Sequence, residues 1–271
     1  QTPFGLNLDS TANYTGYFNF NLEQLKDGDE ITYNITARDS SVAQNTKKIP
    51  FKEKFYFKVE KIFDPVERYW NDFNQLNNDF VISDFDIYTE TSFEDPALHS
   101  PHPYLSPEEV SSNWNYSTIL KHPIILLESA TMTFDEVVLV EPGEFQTNFG
   151  DDEFWDYVVV EGSKDDGKTW LPLADGYDSG DNSTWKNNYN LNIDGNNSQT
   201  EGTKEWFVNR EIDLLQSKNF VVGDTILIQF RLFSDPFANG WGWAIDNLRI
   251  QIPVSSPLTI LSPGNIQVYP N

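Results

Sequence analysis

Apolar and polar side chains alternate with period two along much of this chain, and that limits what it can fold into. Asp29-Glu30-Ile31-Thr32-Tyr33-Asn34-Ile35-Thr36-Ala37 alternates, and so does Lys54-Phe55-Tyr56-Phe57-Lys58-Val59-Glu60. Successive side chains of a strand point to opposite faces, so this spacing predicts strands with one face buried. A third strand is predicted over 14–21, and Lys26-Asp27-Gly28-Asp29 reads as a turn. Further on, 78–91 alternates around Phe80, Ile82, Phe85 and Ile87, while 123–127 and 131–140 are rich in Ile, Leu, Val and Phe. Residues 155–161 read as a buried strand that ends in the turn Lys164-Asp165-Asp166-Gly167-Lys168, and 224–233 and 243–252 close the set. Helical periodicity is scarce: 107–110 predicts one short helix, with Ser106 as N-cap and Pro107 in the first turn. Many short strands without a helical period predict an all-β chain with an antiparallel sandwich. Two stretches read as irregular: 175–203, dense in Asn, Asp, Gly and Ser, and the Pro-spaced 253–271.

Charge narrows the partners. The 271 residues carry 18 Lys and Arg against 42 Asp and Glu, a formal net charge of −24. Such a field repels nucleic acid and anionic lipid, so no nucleic-acid partner is expected. With 15% aromatic and 38% hydrophobic residues the chain has enough apolar side chains for a core, which excludes the disorder that high charge otherwise signals. Residues 1–64 are nearly neutral (net −1), whereas 65–271 carry a net of −23 and all eight Trp. That shift predicts a domain boundary near Asp64-Pro65. No Cys is present, which excludes a disulfide framework and a thiol nucleophile. No apolar run is long enough to span a membrane as a helix, and Gln1 does not open a signal peptide, so a mature form or a piece of a longer protein is expected.

Four local patterns carry a family resemblance. Gly240-Trp241-Gly242-Trp243-Ala244-Ile245-Asp246-Asn247-Leu248, preceded by Arg231-Leu232-Phe233-Ser234-Asp235, resembles the closing strands of jelly-roll modules of the cleaved-adhesin, choice-of-anchor and MAM-like group. Asp166-Gly167-Lys168-Thr169-Trp170, after the strand through Val159-Val160-Glu161, is similar to a hairpin of the same modules. Residues 28–39 with 51–59 resemble the last strands of an immunoglobulin-like or fibronectin-type-III-like module. Asn265-Ile266-Gln267-Val268-Tyr269-Pro270-Asn271 resembles the start of the C-terminal sorting tail of Bacteroidetes type IX secretion substrates. The resemblance implies a partial immunoglobulin-like module over 1–64, with its missing strands upstream. A jelly-roll β-sandwich follows over 65–252, then a linker over 253–271 into a truncated sorting tail. It also implies export by the type IX machinery to the outer-membrane surface or beyond.

Candidate chemistry is sparse. Asp246 and Asn247 offer hard oxygen ligands suited to Ca²⁺, and in the resembling modules a cation ties the last strand to the first, which makes Glu94 and Asp95 the expected partners. The cluster Asp175-Gly176-Tyr177-Asp178-Ser179-Gly180-Asp181-Asn182 lacks the closing Glu of an EF-hand and reads as a solvated acidic loop. His99, His102 and His122 fall close together, but their spacing matches no zinc template, and they read as loop histidines packed on Tyr104 or Trp114. No G-x-S-x-G, H-E-x-x-H or P-loop occurs, so no catalysis is expected in this chain. Trp155, Trp170 and Trp243 read as core, whereas Trp185 and Trp206, flanked by Asn and Asp, are the candidates for stacking on a sugar. N-x-S/T triplets such as Asn13-Tyr14-Thr15 and Asn182-Ser183-Thr184, and the O-glycosylation-like Asp9-Ser10-Thr11, are too short to carry an argument.

These observations favour a non-catalytic accessory or adhesion region of a larger secreted surface protein, binding glycan or protein with structural Ca²⁺. The alternatives are the C-terminal accessory part of an extracellular hydrolase, a peptidase with its catalytic domain upstream, and a structural spacer.

Overall fold

The computed structural model describes residues 7–8, 14–15, 24–49, 54–75, 77–105 and 113–252. The expected helix at 107–110 and the tail at 253–271 lie outside the described residues. The chain divides into two compact units, Gln1–Ile62 and Phe63–Asn271.

In the first unit, β1 (Asn7–Leu8) pairs with β2 (Tyr14–Thr15). β3 (Glu30–Tyr33) and β4 (Ile35–Arg38) form one arm of a ribbon, and β5 (Thr46–Ile49) and β6 (Phe55–Lys58) form the other. β4 pairs with β5 and β3 with β6, both antiparallel. The alternation over 29–37 thus spans two strands, interrupted at Asn34. Asp39 sets the turn by accepting from Ser41 N at 3.1 Å and Asn45 N at 3.0 Å. Tyr33 packs on Phe55 with ring centroids 5.2 Å apart, a cross-strand aromatic pair.

The second unit is a jelly-roll β-sandwich. Its strands are β7 (Tyr69–Asn71), β8 (Phe80–Val81), β9 (Asp86–Tyr88), β10 (Ala97–His99), β11 (Trp114–Ile125), β12 (Thr131–Leu139), β13 (Tyr157–Ser163), β14 (Leu171–Pro172), β15 (Ile193–Asp194), β16 (Asn197–Ser198), β17 (Val208–Asp213), β18 (Thr225–Ser234) and β19 (Gly242–Ile250). One sheet runs β17-β12-β19-β10-β9, with β7 also on β19, and the other runs β14-β13-β18-β11-β8. From β11 to β13, and again from β17 to β19, each long strand joins the sheet opposite its predecessor, so the two sheets are wound together. The single alternating stretch 78–91 is divided the same way, with β8 in one sheet and β9 in the other.

Alternation fixes the two faces of each long strand. Val158 and Val160 of β13 and Ile228, Phe230 and Leu232 of β18 face the core. They meet Phe134, Val138, Trp243 and Ile245 of the other sheet. Phe134 lies edge-on to Phe230 at 5.8 Å and to Trp243 at 6.4 Å. Tyr157, Glu161, Gln229, Arg231 and Phe233 take the alternate positions and form the outer face.

Among the described residues one α-helix interrupts the all-β pattern. The polar stretch read as a loop contains α1 (Ser183–Tyr189), N-capped by Asn182, whose Oδ1 accepts from Thr184 N at 2.8 Å.

Candidate functional site

A cleft of about 340 Å³ opens at one end of the sandwich. One wall is the segment after β12, with Phe145, Gln146, Asn148, Phe149 and Phe154; the other is Asp175, Tyr177, Asp178, Asp181 and Lys186. The acidic cluster expected to be a solvated loop therefore forms one wall of a cleft. Asp178 fastens the walls together: Oδ2 accepts from Gly143 N at 2.8 Å and Oδ1 from Gly180 N at 2.5 Å. Burial pushes its carboxyl above the usual range. Beneath Tyr177, the fully buried Glu136 accepts from Tyr177 Oη at 2.7 Å, Trp243 Nε1 at 2.8 Å and Arg210 Nε at 2.6 Å. Arg210 also reaches Asp181 at 2.8 Å and lies 3.9 Å over the Tyr177 ring. This network fixes the floor, because each buried polar atom in it has a partner.

Aromatic rings continue outward from the cleft. Phe149 meets Tyr157 edge-on at 5.0 Å, and Tyr157 stacks on Phe233 at 4.7 Å and 12°. Beside them on the outer sheet face, Arg231 forms a two-pronged pair with Glu161 at 2.8 and 2.9 Å and also donates to Asn115 at 2.7 Å. Phe145 is 85% exposed at the rim. Apolar ring faces next to amides, carboxylates and a lysine can stack on the apolar face of a ring and bond its hydroxyls.

At the same end, Glu141, Asp156 and Asp235 converge from the ends of β12, β13 and β18. Asp156 is fully buried, and both its oxygens are occupied, by the Tyr104 hydroxyl and by Asp235 N at 2.7 Å. Burial, with Asp235 and Glu144 nearby, raises the Glu141 carboxyl to about 7. Because these acids come from three distant strand ends, no local motif announces them.

Trp185 is not available as a sugar platform. It is fully buried on the inward face of α1, and its Nε1 donates to Trp206 O at 2.9 Å. Trp206 is half-buried against the core. Trp243 sits in the core as expected, whereas Trp155 and Trp170 are only partly buried.

Asp246, expected to bind Ca²⁺, lies on β19 and is 9% exposed. Burial raises its carboxyl to about 7, and Asp95, Asp135 and Asp72 push it the same way. β19 has an irregular register against β12 here, Asn247 adopts φ 52°, and its Nδ2 donates to Asp135 at 3.0 Å. Asp135 lies opposite Asp246 on the neighbouring strand, and the negative charges of Asp95 and Asp72 also act on Asp246. Glu94 is turned away and pairs with Lys204.

His99 and His102 are not packed on Trp114 or Tyr104. His99 stacks on Tyr88 at 4.3 Å, and His102 stacks on Trp241 at 3.7 Å and 7°. His122 lies apart from them, 3.3 Å from Asp79.

No protein-family model matches the chain, and no curated protein matches it. Among solved structures, a carbohydrate-binding module specific for non-crystalline cellulose, CBM28, is similar at 11% identity over 68% of this chain and 87% of its own, with a TM-score of 0.38. A structure from work on promiscuous carbohydrate-binding modules of the β-sandwich superfamily is similar at 11% identity over 81% of this chain and 74% of its own, with a TM-score of 0.30.

Proposed function

We propose that this chain is a non-catalytic glycan-binding region of a larger secreted surface protein, and that the cleft between 143–154 and 175–186 receives the sugar. The observation that carries this reading is the set of aromatic rings lining the cleft, Phe145, Phe149, Phe154 and Tyr177, beside amides and carboxylates. Affinity electrophoresis through a panel of soluble polysaccharides tests the reading: retardation by at least one, with no sugar released on incubation, is the expected result. Retardation by none, or release of reducing ends, contradicts it.

Ca²⁺ is part of the proposal. Asp246 and Asp135, opposite each other on β19 and β12, would supply carboxylate oxygens suited to a hard cation, in a field made more negative by Asp95 and Asp72. The ion would relieve the repulsion on Asp246 and tie β19 to β12. Export by the type IX machinery to the cell exterior is proposed from 265–271 alone, and those residues lie outside the described ones. Among the described residues no helix is long and apolar enough to cross a membrane.

A further inference from the structure

We propose that Glu90, His99 and His102 form a second metal site, selective for a transition-series divalent cation such as Zn²⁺. Ligand atoms of the three residues lie within 4.8 Å of one another. His99 sits at the end of β10, in register with Ala244 of β19, and is fully buried. His99 Nδ1 is 2.8 Å from His102 Nε2. His102 Nδ1 is 2.6 Å from the Trp241 carbonyl oxygen, which can only accept, so Nδ1 carries the proton and Nε2 presents a lone pair to His99. This is the usual arrangement of a metal-bound imidazole, whose other nitrogen donates to a carbonyl. Glu90 is oriented too, by a hydrogen bond with the Tyr88 side chain.

In the metal-free pair His99 Nδ1–H donates to His102 Nε2, and a cation held between these two nitrogens takes the place of that proton. Two nitrogens on one tetrahedral Zn²⁺ stand about 3.3 Å apart, from Zn–N bonds of about 2.0–2.1 Å. The ring nitrogens need to open by only about 0.5 Å to admit the ion. Two neutral imidazoles and one carboxylate leave a fourth position, and His102 and Glu90 are both partly exposed, so water can take it. Imidazole donors distinguish this site from the all-carboxylate cluster at Asp246, because nitrogen ligands favour Zn²⁺ or Co²⁺ over Ca²⁺. The inference does not depend on the glycan reading.

Titration of the full chain with Co²⁺, in excess Ca²⁺ that occupies the carboxylate sites, tests it. The expected result is one Co²⁺ per chain with a visible absorption band, displaced by one equivalent of Zn²⁺. Glu90→Gln weakens Zn²⁺ binding about tenfold or more, and His102→Gln abolishes the band. Absence of the band in the wild type overturns the proposal. So does a band of unchanged strength in both variants, which would place the metal elsewhere.

Discussion

Gly242 shows how one residue sets the geometry of this sandwich. It adopts φ +122°, and a Cβ there would collide with Ser100 Oγ and come within 3.0 Å of Pro101 O. The first Trp-Gly step can therefore lie against 100–102, which lets the Trp241 carbonyl reach His102 and Trp243 N reach Ser100 Oγ at 3.0 Å. Gly242→Ala should cost roughly 2 kcal/mol or more in urea unfolding, from backbone strain plus displacement of that turn. Asp246 gives a second prediction at this scale. Its folded carboxyl titrates at about 7 against 3.8 for the free group, so the folded state binds the extra proton between those values. Stability from this group is present at low pH and lost as pH rises through 7, by up to about 4 kcal/mol at 1.36 kcal/mol per unit. Metal-free protein should therefore melt higher at pH 5.5 than at pH 8, and Asp246→Asn should remove much of that slope. Saturating Ca²⁺ should raise the pH 8 midpoint of the wild type and leave the variant unmoved, since an ion held only by the native state stabilises it. An identical response to EDTA in both proteins would exclude Asp246 as a ligand. The adjacency of Asp246 and Asn247 was visible in the chain, whereas the approach of Asp135 was not, because it arrives on another strand through a pairing that period-two alternation does not specify.

Among the elements, α1 was hidden by its surroundings. Asn and Ser outside and inside the helix gave the stretch a loop composition, and Trp185 looked solvent-facing beside them. The usable signal was spacing: Asn182 as N-cap, then Trp185 and Tyr189 at i and i+4, which share one helix face. Both are buried, so the helix is held down by packing and not by propensity. Trp185→Ala should cost about 3–5 kcal/mol in chemical denaturation, and Asn182→Ala about 1 kcal/mol. A Trp185→Ala variant as stable as the wild type would show that α1 does not pack as described. The β13–β14 hairpin was, by contrast, legible from Asp165-Asp166-Gly167-Lys168-Thr169. Asp165 accepts from Thr169 N at 2.9 Å and Thr169 Oγ1 at 2.7 Å, and Gly167 takes φ +78°.

For the molecule as a whole, alternation was enough to predict an all-β chain with an antiparallel sandwich, because a sheet buried on one face must alternate. Strand order was not readable, since the same pattern allows several pairings. The candidate cleft was less legible still. Its aromatic residues, Phe145, Phe149, Phe154 and Tyr177, lie on the 145–154 segment and in the polar stretch after β14, neither of which has a distinctive local pattern. The net charge of −24 makes its own prediction at this scale. Raising ionic strength should stabilise the metal-free protein by screening repulsion among carboxylates, and the effect should shrink once Ca²⁺ is bound. Calorimetric titration with an oligosaccharide that the protein retains shows whether the cleft holds a sugar against Phe145. Phe145→Ala should weaken binding about tenfold, as expected for loss of one aromatic anchor, with an unchanged melting midpoint, since Phe145 is 85% exposed. Val221→Ala, on a residue 62% exposed and outside the cleft, should bind as the wild type does. Wild-type affinity in Phe145→Ala would contradict the account.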